Sequence, residues 1–92
     1  MNADRAETVA ILALGWLASN DELGPVFLGS TGASAEDMRR GATDPAFLAS
    51  VLEFLTMDDA WVTAFCDATG VGYDEPLRAR YTLPGAEQVH WT

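Results

Sequence analysis

The sequence contains very few residues that bind metals or form disulfide bonds. Its 92 residues include one cysteine, Cys66, and one histidine, His90. A single cysteine cannot form an intramolecular disulfide, and one histidine beside it leaves no Cys/His cluster with metal-ligand spacing. We therefore predict no metal site and no cofactor, and the lone thiol favours a reducing compartment.

Positive charge is also scarce, because lysine is absent and the five basic residues are all arginines. Fourteen acidic residues oppose them, and the formal net charge is −9. A surplus of negative charge repels phosphate backbones at long range and favours basic partners. It argues against a nucleic-acid partner, although a local basic patch could outweigh the average.

The apolar run at residues 9–18, "VAILALGWLA", is too short to cross a membrane. A transmembrane helix needs about 20 apolar residues. The residues before the run include Asp4 and Glu7, whereas a secretory signal carries net positive charge there. We expect a buried helix of a cytoplasmic protein that does not associate with membranes.

No segment shows the strict alternation of a half-buried strand, whereas helical spacing and helix caps recur along the chain. The length is that of one domain. We predict an all-α fold, a compact bundle of about five to six short helices in residues 1–85, followed by a C-terminal tail at 86–92. The predicted helices cover about residues 3–19, 20–30, 34–40, 44–56, 58–69 and 74–81.

Capping residues set most of these boundaries. Ser34 with Asp37 three residues later approximates a capping box, and Asp44-Pro45 is typical of a helix start. Gly24-Pro25 should make the second helix irregular or delay its start, because proline supplies no N–H. The other candidate N-caps are Asn2 or Asp4, Asn20 or Asp21, and Asp58.

Gly32 and Gly70 each follow a predicted helix, at the position where a left-handed C′ residue belongs. The stretch around Gly70, "TGVG", raises the alternative of a phosphate-binding loop. Such a loop carries a Lys followed by Ser or Thr, whereas Asp74 and Glu75 follow here and would repel a phosphate. We predict that both glycines end helices and that neither binds an anion.

An internal repeat appears when the chain is aligned with itself at an offset of about 38 residues. Two aromatic anchors coincide, since Trp16 falls on Phe54 and Phe27 falls on Phe65. The two helix-ending glycines and several capping acids coincide as well. We predict two quasi-repeated units that pack face to face around a shared core, because neither has enough apolar surface to fold alone.

The aromatic residues divide into a predicted core and one outlier. Burial of each core aromatic should contribute about 1.5–3 kcal/mol. The outlier, Trp91, lies in the tail, where it either docks back on the bundle or serves as an interaction anchor. The predicted core aromatics are Trp16, Phe27, Phe47, Phe54, Trp61 and Phe65.

No set of residues has the pattern of a catalytic site. Cys66 follows Phe65 in an apolar helix, with no cation nearby in the sequence to stabilise a thiolate, so we interpret it as core. The acidic pairs at 36–37, 58–59 and 74–75 lie at predicted helix starts, where capping and the helix dipole explain them. We predict that the protein is not an enzyme, with no catalytic residue.

The arginines form two clusters near the ends of the two short helices, Arg39 with Arg40 and Arg78 with Arg80. Cations at this position stabilise the negative C-terminus of a helix. The functional alternative is that the clusters bind a carboxylate, a phosphate or an RNA backbone. If the two short helices are neighbours, the clusters could merge into one patch.

Two stretches, "ALGWLASNDELGPVFLGSTG" at 13–32 and "DPAFLASVLEFLTMDDAWVTAFCDATGV" at 44–71, carry a family resemblance. They resemble a family of small, uncharacterised helical proteins from alphaproteobacteria, classed as a domain of unknown function. The resemblance spans roughly residues 7–85. It implies an all-helical, cytoplasmic protein, and it brings no activity or catalytic residue with it.

Two hypotheses for function follow. The first is a noncatalytic helical module that presents an acidic surface, with an apolar groove, to a protein partner. The alternative is a nucleic-acid-binding regulator that uses Arg39, Arg40, Arg78 and Arg80. A homodimer is also compatible with so much apolar surface in a small chain. An exposed apolar patch bordered by acids would favour the first hypothesis, and a fully closed core would count against it.

Overall fold

A computed structural model describes residues 1–83, which contain six α-helices and one 3-10 turn. No strand occurs in this range, so the predicted all-α fold is confirmed. The tail at 86–92, with Trp91, lies outside the described residues, and its predicted separation from the bundle stays a prediction. The helices are α1 (Ala3–Ala18), α2 (Leu23–Thr31), α3 (Ala35–Arg40), α4 (Pro45–Leu55), α5 (Asp59–Thr69) and α6 (Glu75–Thr82), and the 3-10 turn is Gly41–Thr43.

The predicted caps form most of the helix starts. The Ser34 hydroxyl accepts the Asp37 N–H at 3.1 Å, and the Asp37 carboxylate accepts the Ser34 N–H at 2.9 Å, so the capping box is complete. Asn2 caps α1, and Asp44 caps α4 with Pro45 in the first turn. Each cap satisfies an N–H group that has no partner within its helix.

Helix α2 starts late, as the glycine-proline pair predicts. The Asn20 side chain accepts the N–H groups of Glu22 and Leu23, and regular helix begins only at Leu23. Pro25 therefore lies in the first turn, where a missing N–H breaks no helical hydrogen bond.

Gly32 and Gly70 both adopt the left-handed conformation, with φ of 73° and 81°. Each N–H donates to a carbonyl four residues earlier and ends its helix. After Gly70, the Gly72 N–H donates at 3.0 Å to the carboxylate of Glu75. The loop thus binds a carboxylate of its own chain, and the prediction of two helix-ending glycines is confirmed.

Helix α1 lies at the centre of the bundle and packs most extensively against α6 and α4. Its buried face repeats at helical spacing, which is the pattern of an amphipathic helix. Short α3 packs chiefly against the 3-10 turn instead. The largest fully buried side chains are Phe27, Phe65, Leu17, Leu52, Leu55, Val9, Val51 and Pro76.

Two aromatic contacts in the core are reciprocal. The Trp16 and Phe65 ring centroids are 5.9 Å apart at 70°, and those of Phe54 and Phe27 are 5.3 Å apart at 73°. At the 38-residue offset, Trp16 corresponds to Phe54, and Phe27 corresponds to Phe65. Each contact therefore joins the first position of one half to the second position of the other half, as across a two-fold axis. The internal repeat stays a prediction, and this exchange of contacts agrees with it.

Fewer aromatic side chains are fully buried in the core than the sequence predicts. Phe27, Phe54 and Phe65 are buried as expected, whereas Trp16, Phe47 and Trp61 are half-buried and pack against its edge. Nothing in the spacing of a short helix separates a central position from an edge position, because both lie on the apolar face. Within residues 1–83, the helices are too short and not apolar enough to cross a membrane.

Candidate protein-interaction cleft

The arginines of the predicted clusters pair with carboxylates on their own helices. On α3, Arg39 lies 2.9 Å and Arg40 3.9 Å from the Glu36 carboxylate. On α6, Arg78 lies 3.1 Å from Asp74. Such exposed pairs stabilise a helix by only about 0.3–0.5 kcal/mol. Their effect here is to neutralise cations that a phosphate ligand would need.

Arg80 is held differently, since its guanidinium donates to the Thr56 hydroxyl at 3.2 Å and lies over the ring of Tyr81. It thereby ties α6 to the end of α4. The two arginine clusters lie on helices that pack against different elements, α3 on the 3-10 turn and α6 on α1 and α4. Within residues 1–83, α3 and α6 do not pack extensively against each other, as neighbouring short helices would.

Cys66 has the surroundings of a core residue. It is 3% exposed, and its thiol lies 3.5 Å from the Gly72 carbonyl oxygen. Burial first, and then the negative charge of Asp67, raises the pKa of the thiol. At neutral pH it therefore stays protonated, which is the unreactive form. Within residues 1–83, no group of three or more His, Cys, Asp or Glu side chains is placed to hold a metal ion.

An open cleft of about 260 Å³ lies between α5 and α6, beside the end of α4. We call it the α5–α6 cleft. Three of its lining side chains are large and apolar, and charged groups stand around them. The lining residues are Thr56, Asp59, Val62, Tyr73, Asp74, Leu77 and Arg78.

The three large apolar side chains of the cleft, Val62, Tyr73 and Leu77, form what we call its apolar wall. Much of this wall is exposed to solvent. Leu77 is 47% and Tyr73 64% exposed, while Val62 is half-buried. Exposed apolar side chains that cluster in a concavity are typical of binding surfaces, whereas scattered ones are ordinary. The closed core that would have counted against an interaction function is therefore not what the described residues form.

The wall arises from the spacing of α6 and the loop before it. Leu77 and Tyr81 lie four residues apart on one side of α6, and Tyr73 lies two residues before the helix begins. The opposite side buries Pro76 and Ala79 against the bundle. Helix α6 thus carries apolar residues on two sides, with Arg78 and Arg80 between them in the sequence.

Carboxylates border the wall and differ in what they contact. Asp74 pairs with Arg78, and Asp67 accepts a hydrogen bond from the Tyr73 hydroxyl, which raises the pKa of Tyr73. The Asp59 carboxylate has no ion pair or hydrogen bond within the described part of the chain, residues 1–83. Of the two carboxylates that line the cleft, Asp74 is in an ion pair within those residues and Asp59 is not.

A carboxylate-guanidinium pair holds α6 in place. Glu75 accepts hydrogen bonds from Arg5 Nε at 2.7 Å and Nη2 at 2.9 Å, across 70 residues of sequence. These bonds, and the Gly72 N–H, lower the pKa of Glu75 from 4.5 to about 2. The pair links the start of α6 to α1, in addition to the packing between the two helices.

A larger hollow, of about 450 Å³, lies beside Phe47 at the end of α3. Its other lining residues are polar or small, so Phe47 is its one large apolar contact. The α5–α6 cleft is the better candidate because its three large apolar side chains face one opening. The lining residues of the hollow are Asp37, Arg40, Gly41, Thr43, Asp44 and Phe47.

Comparison with known proteins gives one family. A family model described as a protein of unknown function (DUF3572) matches residues 3–86. No curated protein matches the chain. No solved structure matches it either.

Proposed function

The chain belongs to the DUF3572 family of proteins of unknown function, and we propose that it is a noncatalytic helical module that binds a protein partner through an acidic surface. Membership confirms the resemblance to a domain of unknown function, and it assigns no activity. The predicted restriction to alphaproteobacteria stays a prediction. The cytoplasm remains our proposed compartment, because the single thiol favours a reducing one.

The observation that carries this proposal is the apolar wall of the α5–α6 cleft with carboxylates at its border. Removing one large apolar side chain from water contributes about 1.5–3 kcal/mol. Leu77 and Tyr73 leave much of that free energy unused, at 47% and 64% exposure. A partner that covers them would recover it, and the bordering acids would select the partner's charge.

The state of the arginines supports a protein partner over a nucleic acid. Affinity for nucleic acid depends on cations that displace counterions from phosphates. Three of the four candidate cations already pair with carboxylates on their own helices. The fourth, Arg80, donates to Thr56. With a net charge of −9 besides, the surface suits a basic protein better than a phosphate backbone.

Affinity capture tests the proposal directly. The tagged full-length chain is incubated with a native lysate, one half of which is treated with nuclease, and captured proteins are identified by mass spectrometry. We expect at least one reproducible protein partner in equal amount from both halves. Partners that disappear with nuclease would contradict the proposal and support the arginine clusters as a nucleic-acid surface.

A further inference from the structure

We propose that the α5–α6 cleft binds a segment of a protein that carries a large apolar side chain next to a lysine or arginine. The apolar side chain lies between Val62 and Leu77, and the neighbouring cation contacts the Asp59 carboxylate. This inference rests on the proposed function and specifies its partner by chemistry.

The size of the cleft favours one side chain over a small molecule. Small-molecule pockets commonly occupy about 300–1,000 Å³ and bury most of the ligand. The cleft has about 260 Å³, and its wall residues Tyr73 and Leu77 stay largely open to solvent. A shallow apolar opening of this kind is typical of the site that receives a single anchor residue of a protein partner.

The charges around the cleft define what stands beside the anchor. Two of the nearby acids are already satisfied, Asp74 by Arg78 and Asp67 by the Tyr73 hydroxyl. Asp59 has no such partner in residues 1–83, so a cation of the ligand can pair with it without displacing an existing contact. The long-range field of a chain with net charge −9 attracts the same basic segment.

Two of the three wall residues, Tyr73 and Leu77, are exposed, whereas Val62 also packs against the core. At the 38-residue offset, the two aromatic positions of the core are aromatic in both halves. The wall positions differ, because the residues 38 positions before Val62, Tyr73 and Leu77 are Gly24, Ala35 and Arg39. Three helices also form in the first half, where these three positions carry other residues.

Charge also decides against two other occupants. A second copy of the chain would bring another net charge of −9 to an acidic border, which is unfavourable at moderate salt. The tail at 86–92, "AEQVHWT", contains no lysine or arginine to pair with Asp59. A basic segment of a different protein satisfies both the wall and the free carboxylate.

Display selection with full-length protein tests this inference. A random library of 16-residue peptides is selected against the wild-type chain, and recovered peptides are measured by fluorescence anisotropy at low and high salt. We expect recovered peptides to combine a large apolar residue with lysine or arginine within four positions. Affinity should fall as salt rises, because the cation contributes through an exposed ion pair.

Matched variants locate the binding surface. Leu77→Arg should weaken the recovered peptides by about tenfold or more, since it removes the apolar wall and adds a like charge. Val26→Arg is the control, because Val26 is 46% exposed on α2 and lies outside the cleft. Asp59→Asn should weaken binding about two- to fivefold, while Asp21→Asn, at the equivalent position 38 residues earlier, should not. Circular dichroism confirms that each variant is folded.

Several results would overturn the inference. The selection could recover no binding peptide, or only peptides without basic residues. Leu77→Arg and Val26→Arg could weaken peptide affinity equally. The wild-type chain could also be a dimer that Leu77→Arg converts to a monomer. A gain in peptide affinity on Trp91→Ala would assign the cleft to the tail and overturn it as well. If lysate capture yields a nuclease-resistant partner that Leu77→Arg retains, the proposed function stands and only this inference fails.

Discussion

At the scale of single residues, Glu75 links the start of α6 to α1. Its carboxylate accepts two hydrogen bonds from Arg5 and one from the Gly72 N–H. These bonds favour the charged form and lower the pKa of Glu75 from 4.5 to about 2. Because the folded pKa lies below the unfolded one, ionised Glu75 stabilises the fold above about pH 4.5, and the contribution is lost as pH falls toward 2.

We therefore expect Glu75→Gln to lower the free energy of unfolding at pH 7, with a difference from wild type that shrinks between pH 4.5 and 2. Urea unfolding at a series of pH values measures it. Glu7→Gln is the control, since Glu7 is exposed on α1 and makes no ion pair within residues 1–83. A difference for Glu75→Gln that is the same at pH 7 and pH 2.5 would contradict this role.

Cys66 provides a second test at this scale. Burial and neighbouring acids raise its thiol pKa, so the folded protein should react with iodoacetamide at pH 7.5 at least about tenfold more slowly than the urea-unfolded chain. Mass spectrometry of timed samples gives both rates. Equal rates would show that the thiol is accessible and would reopen its assignment as core.

At the scale of helices, Gly32 and Gly70 explain where α2 and α5 end. Their φ values, 73° and 81°, are ones that residues with a Cβ adopt at a cost. We expect Gly70→Ala and Gly32→Ala each to lower the free energy of unfolding by about 1 kcal/mol or more. Thermal and urea unfolding measure the change.

Gly15→Ala is the matched control for these substitutions. Gly15 lies within α1, and a Cβ there would have no atom within 4 Å. Alanine in an open helical position should raise stability by about 0.5–1 kcal/mol. Glycine-to-alanine substitution should thus lower the free energy of unfolding at the two caps and raise it at Gly15. A change in the same direction at all three positions would contradict the assignment of the caps.

Helix boundaries were predictable from the sequence because caps act over a few residues. Ser34 and Asp37 satisfy each other three residues apart, and Asn20 bonds to backbone groups two and three residues later. The Arg5–Glu75 pair was not predictable in this way, since its partners are 70 residues apart. Its formation depends on how α1 and α6 pack.

The α5–α6 cleft was also missed, although part of its signal is local. Leu77 and Tyr81 lie four residues apart and mark an apolar side of α6, with Tyr73 just before the helix. Nothing in that spacing says whether the side is buried, and the second wall of the cleft, Val62, comes from another helix. The Arg39/Arg40 and Arg78/Arg80 clusters are clear in the sequence, and the carboxylates three or four residues before Arg39, Arg40 and Arg78 are local signals as well. The contact of Arg80 with Thr56 is not local, since it depends on how α6 packs against α4.

At the scale of the whole molecule, the two halves depend on each other. Trp16 of the first half contacts Phe65 of the second, and Phe54 of the second contacts Phe27 of the first. Chains of roughly 40 residues rarely fold without such help. We expect the fragments 1–43 and 44–92 to show little helix alone by circular dichroism and to gain helix when mixed. A half that folds cooperatively alone would contradict a shared core.

At the surface that residues 1–83 describe, the α5–α6 cleft brings exposed apolar side chains next to Asp59, a carboxylate without an ion pair within those residues. The net charge of −9 favours a basic partner. The ion pairs of the arginines reduce the positive charge offered to a phosphate. We propose that the interaction takes place at this cleft.

The most direct test compares capture of the nuclease-resistant partner by the wild-type chain, Leu77→Arg and Val26→Arg. Quantitative mass spectrometry gives the amount bound by equal amounts of each folded protein. We expect Leu77→Arg to retain at most about one tenth of the partner and Val26→Arg to retain nearly all of it. Full retention by Leu77→Arg, or equal loss with both variants, would contradict binding through the cleft.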